Sequence, residues 1–315
     1  MNKNSRIYVA GHTGLLGSAL VRRLGQRGYS LLAPSKRNLN LLNRYAVERF
    51  FKTARPDCVF LAAAKVGNIA ENIRHPVEFL EENLLIQQNV MRAAYETGVK
   101  KLLFFGSNCC YPGECPQPMR EEYLMTGPLE PTNRAYAMAK LTGIEMCLAF
   151  NAQYGTNFIV AMPASIYGEN DHFDSAYRSH VISSLIAKFH NAKISGQKEV
   201  VLFGDGSPLR EFIYCDDVAD ASVFLMENFN ESLDQIWVNV GTGTECSVKE
   251  LAEMIKSAVG YKGGVLWDVT QPNGMPRKLL DSSKCRNLGW NYKVELKNGI
   301  SLTYEWYLKN RKETD

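Results

Sequence analysis

Tyr136 and Lys140 stand four residues apart, so on a helix the phenol and the ammonium share one face. A phenol so placed can give a proton to a carbonyl oxygen. The neighbouring ammonium can lower the phenol's pKa and hold ribose hydroxyls. A chain with 15 Tyr meets this spacing about once by chance, so it speaks only through its surroundings. Those surroundings are informative: the pair follows a strand-like run ending in Gly106-Ser107. Ser107 is therefore expected at the C-terminal edge of a sheet, where its hydroxyl can hydrogen-bond a substrate carbonyl while Tyr136 donates the proton.

A second chemical feature opens the chain. Gly11, His12, Thr13, Gly14, Leu15, Leu16 and Gly17 form a GxxGxxG turn between a strand-like run and a helical one. Glycines there let the backbone approach a pyrophosphate, and a helix N-terminus supplies free N–H groups and partial positive charge. This spacing is that of short-chain dehydrogenase/reductase relatives. The end of the second strand then selects the nicotinamide cofactor. A carboxylate would bind the adenosine 2′-hydroxyl, but the stretch reads Pro34-Ser35-Lys36-Arg37. Two cations suit a 2′-phosphate, which favours NADPH over NADH. The plainer alternative for Lys36 and Arg37 is an exposed turn whose charges face water.

The elements that must position these groups alternate. Ile7 to Ala10 reads as a strand, and Leu16, Leu20 and Leu24 share one face of a helix that Gly28 terminates. Strand-like runs recur at Leu31 to Ala33, Asp57 to Ala64, Lys101 to Gly106 and Asn157 to Met162. Helical runs lie between them around Arg44 to Lys52, Phe79 to Thr97 and Ala135 to Tyr154. The pattern predicts an α/β fold with a doubly wound parallel sheet. Beyond Tyr167-Gly168 the chain turns polar and irregular. A helix is expected over His180 to Asn191, a strand over 200 to 204, a helix over Asp217 to Glu227 and a strand over Trp237 to Val240. The last helix read, Ser247 to Val259, carries Glu250 at capping-box spacing. Residues 1–168, with 212–243 returning, are expected to form the dinucleotide-binding domain. Residues 169–211 and 244–315 should form a smaller C-terminal lobe that binds substrate at the strands' C-terminal edge.

Composition excludes several classes. The chain has 315 residues, 45% of them hydrophobic, enough to bury a large core without staples. A net charge of +3 from scattered residues argues against nucleic acid. No apolar run approaches the roughly 18 residues of a membrane span. The first strand begins too early for a signal peptide. Eight cysteines without paired CxxC spacing imply neither a disulfide scaffold nor a metal site. A cytoplasmic enzyme without metal is expected.

The motifs GHTGLLG, LAAAKVG (61–67), GSNCCYP (106–112), EPTNRAYAMAK (130–140), MPASIYG (162–168), SHVI (179–182), REFIYCDD (210–217), NVGTG (239–243) and PRKLLD (276–281) run in one order. In that order the chain resembles the GDP-L-fucose synthase family, extended short-chain reductases that act as GDP-4-keto-6-deoxy-D-mannose epimerase/reductases. The resemblance spans nearly the whole chain. It implies Ser107, Tyr136 and Lys140 as the reductive triad and Cys109 and His180 as the epimerisation acid/base pair. It also implies an NADP site formed by residues 11–17, Ala62, Ala63, Ala64, Lys140, Pro163, Ala164, Ser165, Ile166 and His180. The GDP-sugar site would involve Ser107, Asn108, Lys188, Phe203, Arg210 and Lys278. The chain departs from the family at Thr13, often arginine there, at Lys188, usually arginine, and at Phe203, usually tryptophan.

The implied chemistry is coherent. A C4 ketone acidifies the hydrogens on C3 and C5. One group can remove such a proton and another return it to the opposite face. A thiolate and an imidazolium both titrate near neutrality, which suits Cys109 and His180. A buried structural thiol and a polar helix N-terminal residue are the plainer readings of the two. Arg210 could bind a diphosphate or pair structurally with Asp216 or Asp217. The competing functions are a C4 reductase without epimerase activity on a related GDP-4-keto sugar such as a 6-deoxy-heptose, an epimerase recycling NAD, and a non-catalytic NADPH-binding protein. A homodimer is expected through the helices near 79–97 and 135–154, with Leu84, Val90, Ile144 and Leu148 as candidate contacts and the intramolecular core as the competing use of each.

Overall fold

The computed structural model describes residues 1–173, 179–229, 235–271 and 273–311. Six parallel strands form the central sheet: β1 (Arg6–Ala10), β2 (Ser30–Leu32), β3 (Cys58–Leu61), β4 (Lys101–Phe105), β5 (Phe158–Pro163) and β9 (Trp237–Val240). Their order is β2-β1-β3-β4-β5-β9. Every residue of β3, β4 and β5 is buried, as a sheet covered on both faces demands. The exception in chemistry is Lys101, whose ammonium donates to the Leu225 and Phe229 carbonyls at the end of a covering helix.

Helices α1 (Leu15–Gln26) and α7 (Cys215–Asn228) pack on each other. Helix α4 (Pro76–Glu96) packs on α2 (Arg44–Ala54) and α5 (Arg134–Tyr154), so the two groups cover the two faces of the sheet. Leu20 and Leu24 are the buried stripe of α1. Tyr8 of β1 meets Phe50 and Phe51 of α2 ring to ring at 4.8 and 5.6 Å. Segment 212–243 supplies α7 and the outermost strand β9. The α/β doubly wound sheet expected from the strand–helix alternation is therefore present.

The remaining elements gather over the C-terminal ends of these strands. They are α3 (Ile69–Arg74), β6 (Ser165–Tyr167), α6 (Val181–Ile194), β7 (Glu199–Phe203), β8 (Leu209–Tyr214), β10 (Glu245–Ser247), α8 (Val248–Val259), β11 (Gly264–Asp268), β12 (Arg277–Lys278), α9 (Ser283–Asn287) and α10 (Leu296–Asn310). Strand β8 pairs with β6, β10 and β12, while β7 pairs with β11. Glu211 on β8 ties three segments together. It is 1% exposed and accepts the Gly243 and Leu280 N–H groups at 2.7 and 2.9 Å. The capping box of α8 is formed, with Ser247 Oγ and Glu250 each accepting the other's backbone N–H.

Two of the proposed dimer contacts need correction. Val90 and Ile144 are fully buried within the protein's own core. Leu84 and Leu148 are half-buried, and the exposed large apolar residues on these helices are Val77, Leu85, Met138 and Tyr154.

Candidate active site

The strand order reverses between β2 and β3 around β1, and the glycine turn sits at that crevice. Gly11 has φ +83°, and a Cβ there would lie 2.7 Å from the Ala63 nitrogen. A Cβ on Gly17 would lie 2.6 Å from the Gly11 carbonyl carbon and 2.8 Å from His12 Cα. These two glycines are therefore required for the turn to close on itself. Gly14 differs: a Cβ there would meet only the Gly11 oxygen, at an ordinary 3.6 Å. Gly14 caps α1 without any side-chain hydrogen bond, leaving the N–H groups of the helix start open beside His12, Thr13, Leu15 and Leu16. Such a cradle fits a dinucleotide pyrophosphate.

The other expected cofactor residues border the same edge. Ala62, Ala63 and Ala64 follow β3, and the Ala62 N–H donates to Ala10 at 3.0 Å. Pro163 ends β5, Ala164 donates to Val240 at 2.9 Å, and Ser165 and Ile166 begin β6. Lys36 and Arg37 are exposed just beyond β2, and neither has an ion pair or hydrogen bond among the described residues. Their charges are available to a phosphate.

At the end of β4 the chain turns through Ser107 into a short 3-10 turn, Asn108–Cys110. Ser107 Oγ accepts the Cys109 N–H at 3.2 Å, which fixes the hydroxyl at the sheet edge. Tyr136, in the first turn of α5, has the Ser107 side chain beside its phenol. Burial raises the phenol's pKa far above its usual value, with the nearby Cys109 and Cys110 adding to the rise and Ser107 opposing it. This corrects the expectation that Lys140 would lower it. Lys140 Nζ lies 5.9 Å from the Tyr136 ring and donates to the Phe105 carbonyl at 2.9 Å. Burial pushes that ammonium down to about 8. A neutral phenol is the form needed to donate a proton, so the geometry suits reduction of a carbonyl.

Cys109 is half-buried, and its thiol donates to Asn108 Oδ1 at 3.7 Å. Its Sγ accepts from Asn133 Nδ2 at 3.3 Å and from Lys278 Nζ at 3.6 Å. Lys278 on β12 is paired in register with Arg210 on β8, so two cations stand side by side next to the thiol. Arg210 donates only to the Leu209 carbonyl, at 2.8 Å, and no carboxylate pairs with it among the described residues. Asp216 instead binds Arg22 at 2.5 Å, and Asp217 accepts the Lys293 and Val294 N–H groups. The structural-pair reading of Arg210 thus fails. Cys110, by contrast, is fully buried, its thiol pushed up to about 12 by desolvation.

Lys188 on α6 lies over the Phe203 ring at 5.2 Å, and that ring is 66% exposed on β7. An exposed aromatic face beside a cation can stack on a nucleobase. His180 is the N-cap of α6. No hydrogen bond links its side chain to Ser107, Cys109 or Tyr136; its partner is Asp171, at 3.1 and 3.2 Å from Nδ1 to the two carboxylate oxygens. Burial lowers the imidazole's pKa, but the Asp171 bond and charge outweigh it and the net shift is upward. Asp171 and Asn133 do not stand out in the sequence. Asp171 lies nine positions before His180, and no spacing rule links them. Asn133 lies three residues before Tyr136, within reach of a search around that motif.

A family profile described as the NAD dependent epimerase/dehydratase family matches residues 7–241. The chain belongs to that family. Within it, this member is 50% identical to GDP-L-fucose synthase 1 of Arabidopsis thaliana over 310 residues, 98% of this chain and 95% of the relative. Its structure is also similar to a GDP-6-OMe-4-keto-L-xylo-heptose reductase from Campylobacter jejuni, with TM-score 0.93 and 37% identity over 99% of each chain. A GDP-mannoheptose C4 reductase from the same organism with NADP bound matches at TM-score 0.89 and 39% identity, over 98% of this chain and 99% of that one. The family member described here is thus an α/β oxidoreductase grouped with the GDP-L-fucose synthases. No helix among its described residues is long and apolar enough to cross a membrane.

Proposed function

We propose that the protein converts GDP-4-keto-6-deoxy-D-mannose to GDP-L-fucose, by epimerisation at C3 and C5 and NADPH-dependent reduction at C4. The observation that carries this reading is the Cys109 thiol, two residues past Ser107 and within 3.3 and 3.6 Å of Asn133 and Lys278. A C4 reduction needs no carbon base, whereas inversion does. Residues 11–17, 62–64 and 163–166 would hold NADPH, with Lys36 and Arg37 at its 2′-phosphate and Lys140 at its ribose, and the bound cofactor would supply a hydride.

The chain's own residues do the rest. Ser107 and Tyr136 hydrogen-bond the C4 oxygen, which stabilises negative charge as a C3 or C5 proton leaves. Cys109, with the Lys278 ammonium 3.6 Å from its Sγ, takes that proton as the carbon base. His180 returns one to the opposite face, inverting the centre. Once both centres are inverted, Tyr136 gives its proton to the C4 oxygen during reduction. Arg210 and Lys278 bind the diphosphate, Asn108 borders the sugar, and Phe203 with Lys188 meets the guanine.

The second reading, a C4 reductase without epimerisation, is favoured by the TM-score of 0.93 to a heptose reductase. Incubating the protein with NADPH and GDP-4-keto-6-deoxymannose and solving the product by NMR decides between them. GDP-L-fucose supports the first; a product keeping the original C3 and C5 configuration supports the second. We further propose a cytoplasmic homodimer. Eight free cysteines suit a reducing compartment, and exposed Leu85 and Met138 on α4 and α5 suit a helical interface.

A further inference from the structure

Three donors converge on the Asp171 carboxylate, which is 8% exposed at residue level. The His172 N–H donates to Oδ1 at 2.9 Å, the Ser183 hydroxyl donates to Oδ2, and His180 Nδ1 sits 3.1 and 3.2 Å from the two oxygens. An ionised carboxylate only accepts, so Nδ1 must carry a hydrogen. The neutral ring then has its lone pair on Nε2, and Nε2 makes no hydrogen bond among the described residues. The His180 side chain is 39% exposed while that of Asp171 is 2% exposed, so the ring turns its guarded edge inward and leaves the other open.

We propose that Asp171 is a positioning residue: with Ser183 anchoring it, the carboxylate holds His180 through Nδ1–H, so that the imidazolium returns the proton from Nε2 during epimerisation and is left as the neutral Nδ1–H tautomer. The inference rests on the reading of His180 as the epimerisation acid. No atom of Asp171 touches substrate. Its charge keeps the imidazolium ready, and its geometry stops the ring from rotating. Asp171→Asn is nearly isosteric but brings an NH2 among three donors. Turning that NH2 toward Nδ1 would favour the opposite tautomer and place a hydrogen on Nε2 of the neutral ring.

The test compares wild type, Asp171→Asn and His180→Gln in deuterated buffer with GDP-4-keto-6-deoxymannose and without NADPH, reading deuterium at C3 and C5. Imidazole 15N spectra, assigned by the signal lost in His180→Gln, report the tautomer, and NADPH titration reports folding. Asp171→Asn is expected to slow deuterium entry by about 10²-fold, with the sugar's apparent KM within about threefold. In wild type His180 should show Nδ1–H. A loss below about tenfold in Asp171→Asn, or an Nε2–H tautomer in wild-type neutral His180, overturns the proposal while leaving the epimerase reading intact. The wild-type spectrum decides even if the variant fails to fold. Absence of exchange in wild type, or unchanged exchange in His180→Gln, removes the role of His180 and the proposal with it.

Discussion

Alanine at Gly14 and alanine at Gly17 should have opposite consequences, although both glycines belong to one turn. At Gly17 the new methyl would sit 2.6 Å from the Gly11 carbonyl carbon and 2.8 Å from His12 Cα, closer still to the Gly11 oxygen. All three neighbours are backbone and cannot rotate away, so the turn must retreat by about 1 Å or more from the start of α1. Overpacking of this kind costs about 1–3 kcal/mol, partly offset by the roughly 1 kcal/mol that alanine gains over glycine inside a helix. At Gly14 the nearest protein atom would lie 3.6 Å from the added methyl and φ is −81°, which alanine adopts freely. Alanine is a poorer N-cap by about 1 kcal/mol, but it loses less chain entropy on folding by about 0.4–1 kcal/mol. The net change should lie within about 1 kcal/mol, a Tm shift of at most about 2–4 °C. The Gly14 methyl would instead occupy the space open to the pyrophosphate. Thermal melts and NADPH titration by fluorescence are the assays. Gly14→Ala should melt near wild type yet bind NADPH at least about tenfold more weakly; Gly17→Ala should melt clearly lower. Tight NADPH binding by Gly14→Ala would refute the cradle argument, and an unshifted melt for Gly17→Ala would refute the packing argument.

Tyr136→Phe should abolish C4 reduction, with a loss of about 10²–10⁴ in rate, while NADPH titration stays near wild type; wild-type turnover would mean another group is the acid. With Lys140 held near 8, the ammonium is charged below that pH and neutral above it. The kcat/KM for NADPH in the free enzyme should therefore fall as pH rises through about 8, and a profile flat to pH 10 would contradict this. Light scattering at micromolar concentration should give the mass of two chains; a single-chain mass would remove the proposed α4–α5 interface.

Legibility in the sequence follows burial. Strands β1, β3, β4, β5 and β9 are covered on both faces and read as continuous apolar runs, so their expected and observed bounds lie close together. Strand β8 leaves no such run, because its first residues include Arg210 and Glu211. Those charges look like loop, yet one faces the proposed anion site and the other ties the lobe together. Helices α4 and α5 are legible as helices, but spacing alone does not say which stripe faces the sheet, and Val90 and Ile144 fall on the buried one. The Ser107–Tyr136 contact follows from the order strand, serine, helix. The lowering of the phenol's pKa is not realised, because Lys140 donates to the Phe105 carbonyl and burial dominates. The Asp171–His180 pair is invisible in the sequence, since a side-chain contact between residues nine positions apart leaves no periodic trace.

The central claim is that a carbon base and a hydride-transfer site coexist in this protein, and Cys109→Ser tests it most directly. Serine keeps the shape but has a pKa far above a thiol's, so it cannot remove a carbon-bound proton near neutrality. Wild type in deuterated water with NADPH should yield GDP-L-fucose labelled at C3 and C5. The variant, with Ser107, Tyr136 and Lys140 intact, should give an unlabelled product reduced at C4 with the original C3 and C5 configuration. Labelled GDP-L-fucose from Cys109→Ser at the wild-type rate would contradict the account, as would an unlabelled, uninverted product from wild type.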